Sequence, residues 1–331
     1  MSNTVAVTGA EGFIGSHLVE ALVQRGCRVK AMVQYNSFGS YGWLDSLSPD
    51  VLSSVEPILG DVRDPRSVRT VLDGAEVAYH LAALIAIPYS YVAPQSYVDT
   101  NITGTLNLLE AARDLGTPRI VQTSTSETYG TARTVPISED HPSQAQSPYA
   151  ATKVAADKLV ESYYLSFESP VVTLRPFNTF GPRQSARAVI PTVVSALASG
   201  RRVIELGALD PTRDLTFVAD TVAAFIAVGT APPDAVIGEV FNAGTGYEIS
   251  IGDLAMTIAD VMGVQAEIKQ DPARLRPSAS EVQRLVCDSR KLQRVTGWEP
   301  LHDLRTGLKA TADWFCDPVN LARYRPDSYT I

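Results

Sequence analysis

Two short stretches carry the groups that can move protons. "TSTSETYG" (Thr123–Gly130) sets two hydroxyls and a carboxylate in a row, Thr125, Ser126 and Glu127. "SPYAATK" then places Tyr149 and Lys153 four residues apart, which puts them one turn apart on the same face of a helix. Ser147 and Pro148 supply a helix start, a capping hydroxyl followed by a proline in the first turn. An ammonium close to a phenol favours the phenolate. Such a tyrosine can take the proton of an alcohol while hydride leaves its carbon, and Thr125 can hydrogen-bond the same hydroxyl. A tyrosine and a lysine at this spacing occur by chance in many helices, so their meaning depends on the elements that hold them.

Those elements alternate through the first half of the chain. Thr4–Gly9, Arg28–Val33, Glu56–Leu59, Glu76–Ala83, Arg119–Thr125 and Val171–Phe177 are predicted strands. Helical periodicity fills the gaps, in "GSHLVEALVQRG", "SVRTVLDG", "NITGTLNLLEAARDLG" and "SPYAATKVAADKLVESYYLSF". Strands joined by helical crossovers predict an α/β fold, a Rossmann-type doubly wound parallel sheet with helices on both faces. After Phe177 the elements shorten and proline and glycine become denser. This predicts a division into a dinucleotide-binding domain, residues 1–177, and a smaller substrate-binding lobe, residues 178–331, some of whose segments return to the first. No periodicity is assigned after Trp314.

The first predicted strand runs straight into "GAEGFIG", with Gly9, Gly12 and Gly15 at the opening of a helix. Glycines there let the backbone turn tightly and approach a pyrophosphate, which the helix N-terminal amides then hold. The positive nicotinamide ring of such a cofactor would also favour the Tyr149 phenolate. The second strand ends in Val33 and Gln34, where an acidic residue would usually select NAD, and no arginine follows to hold a 2′-phosphate. NAD is the expected cofactor, with NADP left open.

Composition narrows the partners. The 331 residues carry a formal net charge of -8 with scattered basic residues, which argues against nucleic acid. Cys27, Cys287 and Cys316 are far apart, and His17, His80, His141 and His302 are isolated, so no metal site is expected. No run approaches the length of a membrane span and no leader is apparent, so a cytoplasmic protein is expected.

Taken together, "GAEGFIGSHL", "GDVRD", "YHLAA", "TNITGTLNLLEAA", "STSETYG", "SPYAATK", "RPFNTFGP", "RDLTFVAD", "FNAGTG" and "GWEP" come in the order of the extended short-chain dehydrogenase/reductases that modify nucleotide sugars, and the chain resembles that family over nearly its whole length. The resemblance implies that Gly9, Gly12, Phe13, Ile14 and Gly15 hold the dinucleotide. It puts Asp61 and Val62 at the adenine and runs Leu81, Ala82 and Ala83 under the cofactor. It assigns the substrate to Asn178, Arg187, Val189, Arg213 and Arg276, the last two arginines meeting its diphosphate. It also implies a homodimer formed through a four-helix bundle, from the helices around Asn101–Leu115 and Tyr149–Phe167.

Glu127 separates the reactions of this family. A C4 epimerase needs only hydride and proton transfer and gives the carboxylate nothing to do. Oxidation at C4 of a hexose acidifies the C5 hydrogen, and a glutamate over C5 can remove it as the C6 hydroxyl leaves. Typical 4,6-dehydratases of the family have Asp-Glu here, and Ser126 replaces the aspartate. "Thr-Ser-Glu" is also the pattern of UDP-glucuronate decarboxylases. Four longer segments, Gln34–Asp45, Gly181–Thr192, Asp210–Thr221 and Arg274–Asp288, resemble the LegB-type dehydratases of legionaminic acid pathways. The expected reaction is therefore 4,6-dehydration of a UDP- or GDP-linked N-acetylglucosamine. The alternatives are the decarboxylase, the epimerase and a non-catalytic nucleotide-sensing protein, the last opposed by the presence of Thr125, Tyr149 and Lys153.

Overall fold

A computed structural model describes residues 3–324. Its main sheet has seven strands, all parallel: β1 (Thr4–Thr8), β2 (Arg28–Gln34), β3 (Val55–Gly60), β4 (Val77–His80), β5 (Ile120–Thr123), β6 (Val171–Pro176) and β7 (Val240–Ala243). Their order across the sheet is β3-β2-β1-β4-β5-β6-β7. The order reverses between β1 and β4, and a crevice at the carboxyl ends of the strands opens there. This is the doubly wound α/β fold expected from the alternation.

Both faces of the central strands are covered, which is why those strands are buried along nearly their whole length, whereas the edge strand β3 is largely exposed. Side chains alternate along each strand. Val5 and Val7, Tyr79, Val121, Val172 and Leu174 face helices α1 (Phe13–Gln24) and α6 (Val218–Thr230). Ala6, Ala78, Ile120 and Val171 face the other way, onto α2 (Pro65–Leu72), α3 (Gly104–Leu115) and α4 (Pro148–Phe167). The first of these cores continues without a break into the later part of the chain. There α5 (Val189–Ala198), α7 (Ile251–Val261) and α8 (Leu304–Cys316) pack on one another through Val193, Leu197, Leu254, Ile258, Leu308 and Phe315.

Three small ladders complete that part. Thr179–Phe180 pairs with Thr216–Phe217, Val203–Leu206 with Glu267–Gln270, and Thr212–Asp214 with both Glu248–Ser250 and Arg284–Leu285. Strand β7 goes back to the main sheet, beside β6, and buries Phe241 completely. A seam of aromatic rings also joins distant segments. Trp43 lies edge-on to Trp314 at 5.6 Å and stacks on Tyr324 at 6.3 Å. The Tyr324 hydroxyl donates to the Gln184 carbonyl at 2.9 Å.

The structure refines several expected boundaries. The predicted strand Arg119–Thr125 pairs only as far as Thr123, so Thr125 lies beyond the sheet, where its side chain caps the short helical turn Ser126–Tyr129. The predicted helix from Asn101 begins earlier, as a wider π-helical segment Val98–Thr103 that runs into α3. Among the described residues no helix is long and apolar enough to cross a membrane, and no group of histidine, cysteine and acidic side chains is placed to hold a metal. Phe241→Ala should destabilise the protein by about 3–5 kcal/mol in urea unfolding, since β7 anchors through this one aromatic side chain. A loss under about 1 kcal/mol would mean that the strand is not part of the packed core.

Candidate active site

The glycine loop after β1 is folded tightly on itself. Gly9 adopts the left-handed region at φ +67°, and a Cβ there would lie 2.8 Å from the Ala82 backbone nitrogen. At Gly15 a Cβ would come within 2.0 Å of the Gly9 carbonyl oxygen. Neither position admits a side chain without moving backbone. The first turn of α1 follows at once, with Ser16 N–H donating to the Gly12 carbonyl at 3.0 Å. Backbone this close-lying, opening at a helix N-terminus, fits a dinucleotide pyrophosphate. Gly9, Gly12, Phe13, Ile14 and Gly15 line a cavity of about 710 Å³ together with Asp61, Val62, Leu81, Ala82 and Ala83.

The same cavity reaches Thr125, Ser126, Glu127, Tyr149 and Lys153. Ser147 Oγ accepts the Ala150 N–H at 3.1 Å and starts α4, which carries the tyrosine and lysine one turn apart. All five of these residues are at least half-buried, and Glu127, 9% exposed, has its backbone N–H on Thr125 Oγ1 at 3.2 Å. Burial holds the Tyr149 phenol well above its ordinary range; the hydroxyl of Thr125 opposes this, and the charge of Glu127 adds to it. Lys153 does not point its ammonium at the phenol. Its Nζ donates to the Thr123 carbonyl at 2.6 Å. In this arrangement the tyrosine is protonated, and a cationic ring placed beside it would be what draws the proton off.

Further along, the cavity is lined by Asn178, Arg187, Val189, Arg213 and Arg276, so the residues expected at the substrate all border one space. Asn178 Oδ1 is buried with no hydrogen-bond partner in the protein. Between the two arginines stands Glu281, a residue the sequence did not single out. Its Oε1 lies 3.2 Å from Arg213 Nη2 and 3.6 Å from Arg276 Nη1. The separation of 68 positions between Arg213 and Glu281 hides the pairing. It is created by the ladder of Thr212–Asp214 with Arg284–Leu285.

Behind the site runs a buried polar relay that the sequence also concealed. Ala82 N–H donates to Thr8 Oγ1 at 3.1 Å, and that hydroxyl meets His80 Nδ1 at 2.8 Å. His80 Nε2 meets Thr105 Oγ1 at 3.3 Å, and Thr105 donates to the Asn101 carbonyl. Counting donors assigns the tautomer: Thr105 has spent its hydrogen, so His80 must donate from Nε2 and accept at Nδ1. The ring is neutral, its pKa pushed down to about 3 by burial and by the Lys153 charge. Asn101 Nδ2 donates to Thr152 Oγ1 at 3.0 Å, and Thr152 to the Tyr149 carbonyl at 2.7 Å. His80 is thus a core histidine that joins the end of β1, where the glycine loop begins, to α3.

A second buried group flanks Lys153. Asp157 Oδ2 accepts from Ser124 Oγ at 2.8 Å and from Arg175 Nη2 at 2.9 Å. Burial pushes the Lys153 pKa down from 10.5 to about 8, and the Asp157 charge resists. Folding therefore weakens proton binding at Lys153. The unfolded chain binds more protons between pH 8 and 10.5, so stability rises with pH across that window. Lys153→Met should stabilise the fold at pH 7 by on the order of 1–3 kcal/mol, a gain that disappears as the pH approaches 10.5. Urea unfolding of both proteins across that range tests this; a gain independent of pH would refute it.

The sequence matches the GDP-mannose 4,6 dehydratase family over residues 6–311. It is 34% identical over 315 residues to UDP-glucose 4-epimerase of Mycolicibacterium smegmatis, covering 93% of this chain and 97% of that protein. It is 32% identical over 324 residues to dTDP-glucose 4,6-dehydratase of Streptomyces griseus, covering 95% and 94%. The fold superposes with a TM-score of 0.85 on DesIV, a dTDP-glucose 4,6-dehydratase of Streptomyces venezuelae solved with NAD bound, at 26% identity over 98% of this chain and 99% of that one. With the parallel sheet, the glycine loop and the tyrosine-lysine turn in place, the chain belongs to the GDP-mannose 4,6 dehydratase family of the extended short-chain dehydrogenase/reductases.

Proposed function

We propose that this protein is an NAD-dependent 4,6-dehydratase acting on an NDP-linked N-acetylglucosamine, UDP- or GDP-GlcNAc, to give the 4-keto-6-deoxy sugar. The observation that carries the reading is the buried Glu127 carboxylate, in the same cavity as Thr125 and Tyr149 and near enough to act on the charge of the phenol. NAD bound along the glycine loop would supply a hydride acceptor at C4 and return the hydride at C6. Tyr149 takes the C4 hydroxyl proton, and Thr125 holds that oxygen. Lys153 provides the positive charge of the buried pocket. The new C4 carbonyl acidifies C5–H, and Glu127 removes that proton while the C6 hydroxyl departs as water. Ser126 is a weak acid, so Glu127 itself hands the proton to the departing hydroxyl, with Ser126 orienting it. A proton from solvent is then added at C5 while Tyr149 releases the one taken from the C4 hydroxyl, which completes a cycle with no net oxidation.

Arg213 and Arg276 would meet the substrate diphosphate. The homodimer expected from the family resemblance would use α3 and α4, which pack together and leave Leu106, Leu165 and Phe167 exposed. A C4 epimerase is the second reading, favoured by the 34% identical epimerase. It predicts a product of unchanged mass and leaves Glu127 without a task.

Mass spectrometry of the product from UDP-GlcNAc, GDP-GlcNAc and UDP-glucuronate, in separate reactions, distinguishes the readings. Loss of one water from a GlcNAc donor is expected. Unchanged mass means epimerisation, and loss of carbon dioxide from the glucuronate means decarboxylation. Glu127→Gln should cut product formation by at least about 100-fold while still accumulating reduced cofactor absorbing near-ultraviolet light. Wild-type turnover by this variant would remove Glu127 from the mechanism.

A further inference from the structure

Strand β2 ends at Gln34, so the acidic residue that usually meets the adenosine ribose in this fold is missing from its place. A carboxylate stands there all the same, delivered from the glycine loop. Glu11 Oε1 accepts the Gln34 backbone N–H at 3.0 Å. Glu11 also lines the cavity alongside Gly12, Met32, Gln34, Asp61 and Arg63. Its other oxygen, Oε2, is buried and has no hydrogen-bond partner. Buried carboxylate oxygens are rarely left so, because an unmade hydrogen bond is costly. The stem of the side chain is fixed from outside. Trp43 N–H donates to the Glu11 carbonyl at 3.0 Å, and a Cβ on Gly42 would lie only 2.9 Å from Glu11 Cβ.

We propose that Glu11 selects NAD over NADP: its carboxylate accepts a hydrogen bond from the adenosine 2′-hydroxyl and opposes a 2′-phosphate by like charge. The inference rests on the dinucleotide reading given above. The neighbouring charges agree with it. Arg63 is the guanidinium at this end, but it is closed on Asp61 through Nε and Nη2, at 3.0 Å and 3.1 Å to the two carboxylate oxygens from Nε alone. Glu11, Asp61 and Arg63 together leave this end of the cavity negative. A dinucleotide ribose would bring the Glu11 carboxylate, which lines the cavity with one oxygen unpartnered, a further donor, whereas a phosphate would bring a second anion into a poorly solvated place.

The test is calorimetric titration of the full-length protein, freed of any dinucleotide carried through purification, with NAD, NADP and the NAD analogue lacking the adenosine 2′-hydroxyl. Wild type should bind NAD at least about 100-fold more tightly than NADP, and about tenfold more tightly than the deoxy analogue. Glu11→Gln, with an unchanged melting temperature, should reduce the NAD preference by about tenfold or more. Adding Gln34→Asp to that variant should restore it. The proposal is overturned if wild type binds NAD and NADP equally, or if the deoxy analogue binds as well as NAD, a comparison that needs no variant to fold. An unaltered preference in well-folded Glu11→Gln overturns it too. Failure of both dinucleotides to bind would remove the cofactor reading as well; sugar dehydration with indifferent use of NAD and NADP would remove only the role of Glu11.

Discussion

The arrangement depends on one run of buried hydrogen bonds, from Thr8 through His80, Thr105 and Asn101 to Thr152. Each member sits in the interior, where an unmade bond would cost more than a made one contributes. The run therefore sets the distance between the loop that would hold a cofactor and the helix that bears Tyr149 and Lys153. Asn101 is its pivot, since it also binds both polar groups of the Leu84 backbone, N–H and carbonyl, at 2.9 Å each. Asn101 sits within the π-helical winding at Val98–Thr103, an irregular helix of the kind that recurs at functional sites, and Thr100 beside it lines the cavity.

The chemistry rests on charges kept where water is scarce. Tyr149 and Lys153 are both buried, and burial disfavours the charged form of each. Asp157, locked between Ser124 and Arg175, gives the lysine a counter-charge from below without bonding to it directly. An acid held this far from its ionised form is a poor base alone. It would become one only beside a positive charge such as that of an oxidised nicotinamide ring, and because hydride transfer would neutralise that ring, the loss of proton and hydride from the substrate would be tied together.

What the sequence made legible was whatever is encoded by short-range spacing. Gly9, Gly12 and Gly15 within one turn, Ser147-Pro148 before Tyr149, and the alternation of strands with helices all follow from local rules. The run "RIVQTST" is apolar enough to predict a strand as far as Thr125; the ladder stops two residues sooner, with Thr123 opposite Leu174, because the chain leaves the sheet there and Thr125 caps the turn Ser126–Tyr129. Strand β7 is four residues long, too brief for any periodicity to declare itself. Glu281 and Glu11 escaped for another reason. One meets its arginines through strand pairing across 68 residues, and the other does at the end of β2 what a residue of β2 usually does.

The aromatic seam around Trp43 gives the far end of the chain a stake in the cofactor loop. Trp43 grips Glu11 through its backbone and Tyr324 and Trp314 through its ring, while Tyr324 holds the Gln184 carbonyl at the rim of the cavity. Tyr324 thus works as a keystone: removed, it would loosen the two sides of the cleft at once. Damage there would pass for a fault in nucleotide recognition, although the residue lies about three hundred positions from the glycines that would do the recognising.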